Sequence, residues 1–179
     1  KPHLDVLMDT LAEKRQIIFF FGGYKGSLEP YFNNIKRENS VFGLSDGGAH
    51  CGVLCDASVP TYMLCYSARD RTVAEPMPLE FIVHKMTQNS AGTYGLHDRG
   101  VIAPGYQGDF NLIDFDALSL EPPEMVYDLP SNGKRLIQKA NGYLATIKAG
   151  EVTYENGEST GVMPGRLLRG GSIARGPYS

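Results

Sequence analysis

Apolar and polar positions follow two different periods along this chain, and the change between them falls near residue 100. In the first part, Leu4, Leu7, Met8 and Leu11 recur at helical spacing. Residues 17–21 form a continuous apolar run closed by Gly22-Gly23, which predicts a buried strand. Residues 28–36 predict a second short helix, with Glu29 near its positive end. Val41-Phe42-Gly43-Leu44 predicts the next buried strand. Strand, helix, strand with unbroken apolar strands is the pattern of parallel β/α units.

Residues 47–60 are small and aperiodic, the mark of a loop long enough to carry function. Residues 61–68 predict a helix. Another begins at Pro78, a residue suited to a first turn, with Leu79, Ile82, Val83 and Met86 as its apolar stripe. Beyond Gly95 the chain turns often, at Gly100, Pro104, Gly105 and Gly108. Residues 110–115 then alternate as a half-buried strand does, and residues 143–149 and 152–154 predict a hairpin around Gly150-Glu151. Three regions follow: a β/α part over 1–100, β strands over 101–170, and a loose tail over 171–179.

Composition narrows the class. The 179 residues are 42% apolar and 21% charged, which suits a globular domain with a sizeable core. A net charge of −3 without long charge runs argues against nucleic acid or an anionic membrane as partner. No stretch has the roughly 18 apolar residues of a membrane span. The chain begins at Lys1 without Met and reads as processed or incomplete. Its three cysteines, Cys51, Cys55 and Cys65, are an odd, clustered set rather than a disulfide framework. They point to a reducing, cytoplasmic setting. Cys55 and Cys65 read as small buried residues.

The densest chemistry lies in Gly43-Leu44-Ser45-Asp46-Gly47-Gly48-Ala49-His50. A buried strand delivers Asp46, a glycine pair follows, and His50 stands four residues on. Parallel α/β proteins present catalytic acids in this way, at the C-terminal ends of barrel strands. An ordinary strand-end turn with Asp46 as its cap has the same pattern. His50 can bind substrate, orient the carboxylate or satisfy loop backbone. Gly43 to Gly47 also fits G-x-S-x-G, with Asp70 and His84 downstream in the order a serine hydrolase needs. The glycines after Ser45 start a helix poorly, however, and His84 lies off its helix's apolar stripe. His50, Cys51 and Cys55 lack the second ligand pair of a structural zinc site. Arg69-Asp70-Arg71 reads as a solvated charge cluster.

In order, the chain carries Gly43 to His50, then Val83-His-Lys-Met-Thr-Gln-Asn-Ser-Ala91 with Gly95-Leu96. Asp98-Arg-Gly-Val-Ile-Ala-Pro-Gly105 and Gly108-Asp-Phe-Asn-Leu-Ile-Asp114 follow. Gly142-Tyr143, Gly150, Thr160-Gly161 and Pro164-Gly-Arg166 complete the series. In this order and spacing it resembles the C-terminal portion of a metal-dependent amidohydrolase, nearest the branch of N-acyl-D-amino-acid deacylases. The resemblance implies an α/β fold: the last strands and helices of a (β/α)₈ barrel, the final strand ending at Asp46, followed by strands of a small β-sandwich.

It also implies hydrolysis of a C–N bond in a small-molecule N-acyl amine or amide. One or two zinc ions would serve, with Asp46 touching the metal site and shuttling protons. Ser45, His50 and Arg69 are the substrate-binding candidates. The family's His-x-His pair occurs nowhere in this chain, and no arginine lies between residues 47 and 68. The remaining metal ligands are therefore expected upstream of Lys1, and the segment alone is expected to be inactive and to self-associate through unpaired strand edges. A cyclic imide or another amide stays open as substrate. The alternatives are a catalytically silent scaffold of the same fold and a serine hydrolase using Ser45.

Overall fold

A computed structural model describes residues 2–13, 28–42, 45 and 51–168 of the chain. Contacts divide the chain into two units, Lys1–Ser40 and Val41–Ser179.

The first unit contains two helices. α1 (His3–Ala12) forms where the apolar spacing predicts it, with Asp5 in its first turn. Leu4 and Met8 of the expected stripe are exposed, however, at 65% and 58%. α2 (Glu29–Ile35) has Pro30 in its first turn, and buries Phe32 and Ile35. Ser40 ends it by donating its hydroxyl to the carbonyls of Ile35 and Arg37. The strand expected over 17–21 and the loop after it lie outside the described residues.

The second unit is helical first and stranded afterwards. A short 3₁₀ turn (Asp56–Ser58) leads into α3 (Val59–Tyr62), which continues as a π-helical stretch (Met63–Asp70). Thr61, Met63, Leu64, Cys65 and Ser67 are its buried face. α4 (Leu79–His84) likewise runs through a π stretch (Lys85–Asn89) into α5 (Ser90–Thr93). The π segment corrects the predicted stripe. Ile82 is fully buried as expected, but Val83 is 41% exposed and Lys85 is buried in its place. A π-helix closes its hydrogen bonds over five residues rather than four, so the buried face shifts along the sequence. Lys85 is accommodated with its ammonium 5.7 Å from the centre of the Phe81 ring.

The strands are β1 (Phe110–Ile113), β2 (Ser119–Leu120), β3 (Glu124–Leu129), β4 (Gly133–Ile137), β5 (Ala140–Asn141), β6 (Tyr143–Lys148), β7 (Glu151–Glu155) and β8 (Glu158–Ser159). They make one four-stranded sheet, ordered β1-β6-β7-β8, and two ribbons, β2-β5 and β3-β4. Every described pairing is antiparallel. No closed barrel is present among the described residues; the strand predicted over 41–44 is irregular at 41 and 42, and 43–44 are not described. The predicted hairpin forms with its turn at Ala149-Gly150, both at positive φ as a tight hairpin turn requires. β1 forms where predicted but does not bury alternate residues: Phe110, Asn111 and Leu112 are all exposed, Leu112 at 56%, and only Ile113 is half-buried.

Leu118, completely buried, is the joint between helices and strands. Its carbonyl accepts from the Cys65 thiol at 3.3 Å and from Arg69 Nη2 at 2.8 Å. On its other side Gly142 approaches so closely that a Cβ there would lie 2.7 Å from the Leu118 Cα. Among the described residues no helix is long and apolar enough to cross a membrane.

Candidate functional site

Asp46 and His50 lie outside the described residues. Ser45 before them and the chain from Cys51 onward are described, and each lines a cavity.

Ser45 is half-buried and lines a cavity of about 300 Å³ with Phe42, Val59, Pro60, Met86, Ser90 and Tyr94. The start of α3 and the 79–93 helix thus flank Phe42 and Ser45. His84 is exposed, as expected, and borders a different cavity. Asp70, the acid of the serine-hydrolase alternative, is engaged by Arg69 at 2.6 and 2.9 Å. Among the described residues nothing brings Ser45, Asp70 and His84 together.

The larger cavity, about 550 Å³, opens directly after the motif. One wall is the loop and helix start from Cys51 to Thr61; the other is the β3–β4 ribbon, contributing Leu129, Arg135, Leu136 and Ile137. Two contacts fix the walls to each other. The Leu136 N–H donates to the Cys51 carbonyl at 2.6 Å, and the Ser58 hydroxyl donates to Gln138 Oε1. At the next turn of α3, the hydroxyls of Thr61 and Tyr143 meet at 2.8 Å. A mostly apolar concavity with a few fixed polar groups is the general form of a small-molecule site. The ribbon's part in it was not foreseen, although Asn132-Gly133 between two apolar runs is a hairpin signal.

The cysteines differ from expectation. Cys65 is buried, but Cys55 is only half-buried and lines the large cavity beside Cys51. Burial, and then the neighbouring Asp56, push the Cys55 thiol above its usual range. Burial likewise raises Cys65.

Arg69-Asp70-Arg71 is not simply a solvated cluster. Arg71 is 3% exposed. Arg69 donates to the carbonyls of Phe115, Asp116 and Leu118 and stacks 5.5 Å from the centre of the Phe115 ring. Its bond to Asp70 raises the guanidinium pKa and holds the Asp70 carboxyl below its usual range. Arg69 thereby fastens the 59–70 helix to the chain entering β2.

Three motif pieces beyond residue 95 meet in a polar knot. Arg99 pairs with Asp98 at 2.9 Å and with Asp109 at 3.4 Å. Asp109 also accepts from Lys148 and from the Ala149 N–H, and the Gly150 N–H donates to the Gly108 carbonyl at 2.9 Å. Burial alone would raise the Asp109 pKa, but Lys148, the Ala149 N–H and Arg99 outweigh it and hold it low. None of these residues lines either cavity.

A profile of the Amidohydrolase family matches residues 22–154, which include the whole stretch from Gly43 to His50. The chain belongs to the amidohydrolase family. An allantoinase of Deinococcus radiodurans is 34% identical over 99 residues, covering 54% of this chain. The matched stretch spans about a fifth (21%) of that relative's length. No solved structure matches. Members of this family generally bind metals. Among the described residues no three His, Cys, Asp or Glu side chains cluster to hold an ion.

Proposed function

We propose that this amidohydrolase segment serves a hydrolase that cleaves a C–N bond of a small amide, with Asp46 as the group that moves protons. The observation that carries the reading is the family match, which runs unbroken across Gly43 to His50 and on through the helices and strands that follow. Hydrolysis of an amide needs water to lose a proton as it attacks the carbonyl carbon. The nitrogen must gain one as the C–N bond breaks. A single carboxylate within hydrogen-bond reach of both does this, contributing 10²–10⁴-fold. In the sequence Asp46 stands between an apolar run and a glycine pair, small neighbours that suit a group meeting a substrate.

The cavity beyond Cys51 gives the substrate's apolar portion a place, since Leu54, Leu120, Leu129, Leu136 and Ile137 line it. The order of motifs favours an N-acyl-D-amino-acid deacylase-like enzyme. The allantoinase relative favours a cyclic substrate instead. Both share the same bond change, and the last strand of a (β/α)₈ barrel ending at Asp46 suits both.

The intact protein, offered N-acyl-D-amino acids, their L-enantiomers and allantoin, is expected to release a carboxylate product from at least one of them. Labelling of Ser45 by a serine-reactive fluorophosphonate, with loss of turnover, would instead support the serine alternative.

A further inference from the structure

Of the three thiols, two share one surface. Cys51 and Cys55 are both half-buried and both line the 550 Å³ cavity, while Cys65 is buried and its thiol donates to Leu118. The two stand four residues apart on a loop fixed at both ends. The Cys51 carbonyl is held by Leu136 of β4, and Ser58 is held by Gln138 just past β4. Arg135, also in the lining, is held by Asp128 through two hydrogen bonds. The cavity is large enough for a ligand with a ring or short chain.

We propose that Cys51 and Cys55 form a two-thiol site that captures soft, thiophilic centres, of which trivalent arsenicals are the test case. With phenylarsine oxide the step balances without an oxidant. Two S–H bonds and the As–O linkage break, two As–S bonds form, and the oxygen leaves as water with both protons. Arsenic stays trivalent. Two-point attachment makes the adduct at least about a hundredfold tighter than attachment to either thiol alone. The site stands on the described residues and does not depend on which reaction the protein performs.

The experiment treats the unaltered full chain with one equivalent of phenylarsine oxide, then iodoacetamide, and maps alkylation by peptide mass. The expected result is joint protection of Cys51 and Cys55, with Cys65 unaffected, and one arsenical per chain. Cys51→Ser and Cys55→Ser should each lose the adduct on washing with a monothiol, and Cys65→Ser should keep it. Circular dichroism checks that each variant is folded. Protection of only one of the two, or an adduct that survives either single substitution in a folded protein, overturns the proposal.

Discussion

Asp109 holds Lys148 through both carboxylate oxygens, each 2.8 Å from the ammonium nitrogen. The pair joins the start of β1 to the end of β6, and with Arg99 and the Ala149 N–H it closes the polar knot. Because Asp109 and Asp98 both have lowered pKa values in the fold, their contribution to stability is fully present above the usual carboxylate value of about 3.9. It is lost as pH falls through the lower, folded values. The melting temperature should therefore drop on acidification below about pH 4. Asp109→Asn should flatten that acid limb and cost roughly 1–2 kcal/mol at pH 7, discounted for partial exposure. Denaturant titrations at both pH values check this; an unchanged acid limb in the variant would remove Asp109 from the explanation.

Gly142 and Gly150 both have positive φ, at +92° and +84°, but only Gly142 is crowded. Gly150→Ala should cost about 1 kcal/mol, the price of the left-handed backbone alone. Gly142→Ala adds an overlap with Leu118 and should cost clearly more, at least about 2 kcal/mol. Equal costs in urea unfolding would contradict the close packing at Leu118.

Arg69 was a candidate for the substrate carboxylate, yet its guanidinium engages three carbonyls and Asp70. Arg69→Ala should lower the unfolding midpoint, and Arg69→Lys should recover little of it, because an ammonium cannot reproduce the planar fork. A folded Arg69→Ala protein with unchanged stability and a large rise in KM alone would restore the substrate role.

Ser45→Ala should leave turnover within a few-fold of the parent, since Asp70 is held by Arg69 and His84 borders a different cavity from Ser45. Loss of a hundredfold or more in steady-state assays, with the fold intact, would favour the serine mechanism.

The helix predicted over 61–68 and the one starting at Pro78 fall within the observed helices over 59–70 and 79–93, and the hairpin predicted around Gly150-Glu151 forms with its turn one residue earlier, because those signals are local. Lys85 was missed because spacing of 3.6 residues does not anticipate a π turn. The polar knot was visible only as separate motifs: Asp109 and Lys148 are far apart in sequence, and nothing local says they meet. Cys55 was misread because composition makes free cysteines look like core, whereas this one borders a cavity made partly by a ribbon some eighty residues on. Around Asp46, the glycine pair and the apolar run carried the whole reading; that the flanking helices line a cavity with Ser45 was not visible in the sequence.

The most direct measurement is turnover by the intact protein carrying Asp46→Asn, alongside its melting temperature. The expected result is a 10²–10⁴-fold loss of kcat with the melting temperature unchanged. A folded variant that keeps more than about a hundredth of the parent activity contradicts the assignment of Asp46 as the proton-moving group.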